Sequence, residues 1–266
     1  MSSISSISTT PHRAAISWSA GKDSCLAWLR ATEQGLEVST LVTMCDADGT
    51  SKSHALPPAL IAAQVRAIGG EWQPVNVAPG GYAAAFDVQL QRLRATGHTH
   101  MVFGDIDLAA HRDWLEPACA RAGLVARFPL WGEPRAVLAR EILARGIRAR
   151  IVCVDTRGLD ASFCGVDFDA AFLARLPEAV CPCGEDGEFH SFVFDAPGFA
   201  SPLPISNGKQ RRVRSAPPFA PTEFVFQSLR LDGAPGTGVP VPPAGRVHGP
   251  LGAARRRPVV ADAPAR

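Results

Sequence analysis

The run Ala14-Ala15-Ile16-Ser17-Trp18 leads directly into Ser19-Ala20-Gly21-Lys22-Asp23-Ser24 and then Cys25-Leu26-Ala27-Trp28-Leu29, and no other segment constrains the chain as much. A short apolar stretch, a turn of small residues and an apolar-periodic run predict a strand, a tight turn and a helix in direct succession. That order aims the free N–H groups of the helix's first turn, and the positive end of its dipole, at one point beyond the strand. Small residues let the backbone approach closely, so the turn forms a nest for an anion such as phosphate. Lys22 adds a mobile positive charge and Asp23 a carboxylate suited to magnesium, so the segment reads as a nucleotide site. The plain alternative is a strand-to-helix turn in which Ser19 or Asp23 only caps the helix. The chain has no G-x-x-x-x-G-K-[ST] phosphate loop, and no G-x-G-x-x-G fingerprint follows the first strand.

The 266 residues allow one large or two modest domains. Up to about Phe128, short apolar strands alternate with amphipathic helices, the rhythm of a parallel α/β sheet. Strands are expected over 38–44, 72–77 and 99–104. Pro57-Pro58 opens a helix through Leu60, Ile61, Val65 and Ile68 that Gly69-Gly70 closes; others cover 86–93 and 108–122. Ligands of such sheets sit at the carboxyl ends of the strands, so 19–24, 46–54 and 104–107 should meet at one cleft. Beyond Pro129-Leu130-Trp131-Gly132 the expectations are a helix over 134–145, a strand over 149–154, a helix over 167–176 and a turn-rich stretch over 181–188. Strands over 189–194 and 224–231 follow. The domain plan is a flexible start (1–12), an ATP-binding domain (13–129), a smaller α/β domain (130–232) and a disordered Pro/Gly/Arg-rich tail (233–266).

A formal charge of +2 gives no electrostatic case for nucleic acid; Arg255-Arg256-Arg257 reads as a solvated tail. Seven scattered cysteines suit reduced thiols and a cytoplasmic location, and no apolar stretch is long enough to cross a bilayer.

Ser19 to Ser24 is similar to the S-G-G-x-D-S pyrophosphate loop of enzymes that cut ATP between its α- and β-phosphates. Behind it, in order, stand Val102-Phe103-Gly104-Asp105-Ile106, Arg112-x-Trp114-x-Glu116, Pro129-Leu130-Trp131-Gly132 and Gly184-Glu185-Asp186-Gly187-Glu188-Phe189-His190-Ser191-Phe192. Together these segments, over roughly 14–199, resemble the diphthine–ammonia ligase family of ATP pyrophosphatases. The resemblance implies an adenine nucleotide α-hydrolase-like domain followed by a smaller α/β domain. It also implies ATP-dependent amidation, with ammonium, of a carboxylate on a modified histidine of elongation factor 2. If the source lacks that modification, the acceptor is another carboxylate. One departure stands out: Ala20 replaces the motif's first glycine, at a strain of about 1 kcal/mol if φ is positive there.

Such chemistry forms an acyl-adenylate and releases pyrophosphate. The amides of Ala20, Gly21, Lys22, Asp23 and Ser24, the Ser19 and Ser24 hydroxyls and the Lys22 ammonium are placed to meet the charge on the phosphates. Asp23 is the first magnesium candidate, with Asp105 or Asp107 across the cleft, beside Gly104. His54 resembles the family's histidine near the nucleotide. Arg112 either reaches phosphate or acceptor, or pairs with Glu116 one helical turn on, worth about 0.3–0.5 kcal/mol. Glu185 and Glu188, on a glycine-bracketed turn, suit ammonium binding and its deprotonation. Cys181-x-Cys183 lacks two further ligands for a metal, although His190 is near, and Cys25 reads as core. Two other functions remain open: a sulfur transferase acting on tRNA, and a non-catalytic ATP-binding module.

Overall fold

Strands His12–Ser17 (β1), Leu36–Cys45 (β2), Glu71–Asn76 (β3), His100–Val102 (β4) and Val125–Arg127 (β5) form a wholly parallel sheet in the order β3-β2-β1-β4-β5. The computed structural model describes residues 12–214 and 222–233; the expected N-terminal and C-terminal tails, with Arg255-Arg256-Arg257, lie outside them apart from their inner ends. Ala14, Ala15 and Ile16 are fully buried, as a central parallel strand covered on both faces requires. Helices Lys22–Glu33 (α1) and Pro58–Ile68 (α2) cover one face, while Tyr82–Ala95 (α3) and Ala109–Arg121 (α4) cover the other. Pro58 opens α2 in its first turn and Gly69, at φ 75°, ends it in the left-handed conformation, as the sequence predicts. The strand order reverses between β1 and β4, and the crevice at such a switch point is where ligands of open α/β sheets bind.

The second sheet is antiparallel: Arg148–Asp155 (β6), Phe189–Asp195 (β7), Ile205–Arg214 (β8) and Glu223–Leu231 (β9), in the order β7-β6-β9-β8. Helices Arg135–Ala144 (α5) and Ala170–Arg175 (α6) pack with it. The last helix is shorter than 167–176 because the Asp169 carboxylate accepts the Phe172 N–H at 2.7 Å and fixes its start, and Pro177 bars continuation. Strand β8 escaped the sequence reading because its basic, polar residues show no apolar alternation; it lies at the sheet edge, where charge is tolerated. One hydrophobic core runs without a break from Ile16 and Leu26 through Leu138 to Ile151 and Phe192, so the two sheets are packed onto each other. Among the described residues no helix is long and apolar enough to cross a membrane.

Candidate active site

At the switch point the chain leaves β1 through Trp18 and turns through Ser19, Ala20 and Gly21 into α1. Ala20 is left-handed, at φ 67°, and fully buried. Its carbonyl accepts the Val193 N–H of β7 at 3.0 Å and a Gln64 side-chain N–H of α2 at 3.1 Å. The Gly21 N–H reaches the Ser19 hydroxyl at 3.3 Å, and the Lys22 N–H reaches the Ser191 hydroxyl of β7 at 3.2 Å. No side chain caps α1, which sets aside the plain capping reading of Ser19 and Asp23. Gly21 admits no side chain, since a Cβ there would stand 2.6 Å from the His54 ring. Gly104 lets the β4 loop lie on the first turn of α1: a Cβ would stand 3.0 Å from the Ser24 nitrogen and 3.1 Å from the Asp23 carbonyl carbon.

The conformation of Ala20 yields a prediction. Ala20→Gly relieves about 1–2 kcal/mol of left-handed strain. It forfeits about 0.8 kcal/mol of buried methyl and about 0.4–1 kcal/mol to a freer unfolded chain, so it is nearly neutral in stability. Ala20→Val places a branched side chain at positive φ in a filled site and costs at least about 2 kcal/mol, a fall in Tm of about 4–8 °C. Thermal melts of both variants check this; a valine variant as stable as wild type would refute the left-handed geometry.

Lys22 is not the mobile cation the sequence suggested. It is 2% exposed, its Nζ donates to Asp23 Oδ2 at 2.8 Å and to the Cys183 carbonyl at 2.5 Å, and it lies 5.1 Å from the Phe189 ring centre. Burial opposes its charge, but Asp23, Cys183 and Glu185 outweigh burial and raise its pKa, so it stays protonated. Lys22 therefore clamps the turn 181–188 against the loop. It occupies one oxygen of Asp23; the other, Oδ1, is buried without a partner. A bare buried carboxylate oxygen at the mouth of a phosphate nest is a fitting donor for magnesium, which is shared in such sites with substrate phosphates. Among the described residues no three His, Cys, Asp or Glu form a metal-holding group on their own.

The two glutamates of the turn part company. Glu188 Oε1 accepts the Cys181 N–H at 2.9 Å and its Oε2 the Asp186 N–H at 3.0 Å, so it braces the turn. Glu185 is half-buried, and its pKa is pushed up to about 8 by burial and then by Asp23, with Asp105 adding to the effect and Lys22 and Arg135 opposing it. Asp105 accepts from His111 Nδ1 at 2.8 Å. Both Asp107 oxygens are taken by Arg135, at 2.7 and 2.8 Å, which leaves Asp105 the better second magnesium anchor. Arg135 also donates to Asp186 at 2.9 Å, tying the β4 loop to the turn. Arg112 pairs with Glu116 at 2.7 Å and lies over the Trp131 ring at 4.8 Å, so its observed partners are those of the simpler reading.

His54 and His190 meet with ring centres 4.7 Å apart, and His54 Nδ1 is buried without a partner. Burial, then His190 and Lys22, hold the His54 pKa well below the usual range; burial and then Lys22 push His190 down to about 4. Both rings are neutral at pH 7, so His54 presents a neutral hydrogen-bonding nitrogen beside Gly21. All seven cysteines are buried and free. The sequence reading missed Gln64, Ser191 and Arg135 as parts of the site. Gln64 left a trace, a polar residue on the otherwise apolar stripe Leu60, Ile61, Val65 and Ile68.

Fold and site together define an α/β protein of the nucleotide-binding class, whose second sheet closes over the anion loop. Two family models match it, the diphthamide synthase N-terminal domain over residues 12–126 and the diphthamide synthase C-terminal domain over 134–215. The chain belongs to the diphthamide synthase, or diphthine–ammonia ligase, family. Over 124 residues it is 32% identical to the diphthine–ammonia ligase of Homo sapiens, covering 44% of this chain and 46% of that protein. The Bos taurus diphthine–ammonia ligase is 31% identical over 124 residues, with the same shares. That of Schizosaccharomyces pombe is 22% identical over 226 residues, 71% of this chain and 35% of that protein. The chain thus spans about half the length of the mammalian relatives it matches.

Proposed function

We propose that the chain is an ATP-dependent carbon–nitrogen ligase that converts a carboxylate into its amide with ammonium, releasing AMP and pyrophosphate. The observation that carries this reading is the loop 19–24 at the switch point, with the bare buried Asp23 Oδ1 beside it and the turn of Glu185 clamped against it by Lys22, in a chain of this family. A carboxylate resists attack by ammonia, so it must first be activated. An acceptor oxygen bonds to the α-phosphorus of ATP, the bond to the bridging oxygen breaks, and pyrophosphate leaves with the electron pair. The first-turn amides of α1 and the Ser19 and Ser24 hydroxyls meet the charge that grows on the departing phosphates. Magnesium, held by Asp23 and Asp105, would neutralise part of that charge. Ammonium must then lose a proton to become a nucleophile. Glu185, as carboxylate, holds the ion by a charge-assisted hydrogen bond and takes that proton. Nitrogen bonds to the carbonyl carbon and gives up a second proton to solvent, while the bond from that carbon to the phosphate oxygen breaks and AMP leaves with the electron pair.

The relatives' names point to a diphthine acceptor, hence to the modified histidine of elongation factor 2 where the source makes it. A tRNA sulfur transferase is the weaker reading, since no cysteine is presented to a substrate. The test uses α-labelled ATP with magnesium, ammonium and acceptor protein, resolving AMP from ADP. Ammonium-dependent AMP that also requires the acceptor is the expected result. ADP as the product, or AMP indifferent to ammonium, would sink the ligase.

A further inference from the structure

We propose that Gln64, a helix residue outside every recognised segment of the site, is the positioning residue that sets the direction of the nucleotide loop. The inference rests on the reading of 19–24 as an ATP loop. Gln64 is fully buried. Its Oε1 accepts the Trp18 indole N–H at 2.6 Å, and its Nε2 donates to the Ala20 carbonyl at 3.1 Å and the Val193 carbonyl at 2.6 Å. The amide can sit only one way round: an indole N–H only donates, and the two carbonyls only accept. One side chain thus joins the end of β1, the loop and β7.

The peptide plane turns this bracket into a device. In a trans peptide the C=O of one residue and the N–H of the next point in opposite directions. Gln64 and the Val193 N–H draw the Ala20 C=O toward β7. The Gly21 N–H is therefore turned away, toward the Ser19 hydroxyl and the mouth of the nest. Alanine resists that arrangement, since φ 67° costs it about 1–2 kcal/mol. A left-handed alanine is kept only where its surroundings over-determine it. Here the surroundings are two donors to one carbonyl, and Gln64 is the one supplied by a side chain.

The test measures binding of magnesium-ATP by titration calorimetry, with thermal melts alongside. Gln64→Met keeps the length and the apolar stem but loses both donors; it should weaken ATP binding about tenfold, the worth of one well-made hydrogen bond. Gln89→Met, which removes a buried amide on α3 that bonds Gln73 at 2.5 Å, should lower Tm and leave ATP affinity unchanged. Ala20→Gly distinguishes positioning from plain stability. In the Gln64→Met background it should restore most of the lost affinity, a gain larger than any it gives in wild type, because glycine needs no bracket to adopt positive φ. If Gln64→Met does not fold, Gln64→Glu takes its place: it is near in shape and, when protonated, retains one donor, so its ATP affinity should fall as pH rises. Wild-type affinity in a folded Gln64 variant, or an Ala20→Gly effect equal in both backgrounds, overturns the inference. A wild-type chain that fails to bind magnesium-ATP overturns the nucleotide reading itself, and this inference with it.

Discussion

Asp23→Asn is expected to reduce AMP formation by about a thousandfold or more while leaving a folded protein. The two oxygens of Asp23 have separate partners: Oδ2 takes the Lys22 ammonium at 2.8 Å, and Oδ1 is buried and bare. Asparagine can still accept from Lys22, so the clamp on the Cys183 carbonyl survives in part. It cannot offer a second anionic oxygen to a metal on the phosphates. Removing the charge also leaves Lys22 buried beside a neutral group, so Tm should fall as well; losing one partner of a buried pair costs about 3–5 kcal/mol at worst. Circular dichroism and ATP–pyrophosphate exchange on the same preparation separate unfolding from lost chemistry. A folded Asp23→Asn protein with exchange within about tenfold of wild type would remove Asp23 from the reaction.

Glu185→Gln is expected to change two pH profiles in opposite senses. In the folded chain Glu185 holds its proton up to about 8, whereas unfolded it releases it near 4.5. Between those values the native state binds more protons than the unfolded state, so wild-type stability falls as pH rises through the window. Glutamine removes that loss: the variant should melt above wild type at pH 8.5 and converge with it at pH 4. Activity runs the other way. Ammonium-dependent product formation in wild type should climb with pH as the carboxylate forms, with a midpoint below that of the metal-free chain because magnesium on Asp23 and Asp105 would offset the charges that hold the proton on Glu185. In the variant that step disappears and the rate drops by about two to four orders of magnitude. ATP–pyrophosphate exchange should survive in Glu185→Gln, since adenylation precedes ammonium. Equal pH profiles in wild type and variant would show that Glu185 handles no proton in the reaction.

What the sequence disclosed follows the range of the interactions involved. The strand–turn–helix start and the Pro58 to Gly69 helix were legible because local rules fix them: apolar period, proline in the first turn, glycine at the stop. The acidic turn was legible as a motif, but the division of labour within it was not. Glu188 receives the Cys181 and Asp186 amides, whereas Glu185 is set near Asp23, and only the fold makes that division. Lys22 misled for the same reason, because the Cys183 carbonyl that immobilises it lies 161 residues away. Strand β8 was invisible because an edge strand, wet on its open side, needs no alternation.

The loop's hydrogen bonds to β7 have a consequence for how the protein is made. Ala20 and Lys22 leave the ribosome long before Ser191 and Val193, their partners in the second sheet. A nascent chain that has completed all five parallel strands already carries Gln64 but still lacks the Val193 N–H and the Ser191 hydroxyl, so the loop has only part of its bracket. On the proposed reading, the loop would reach its complete hydrogen-bonded shape only when the second sheet joins the domain that bears the motif. In evolution the two halves are bound by the same contacts: exchanging the second for a foreign module would discard the walls of the first one's binding loop.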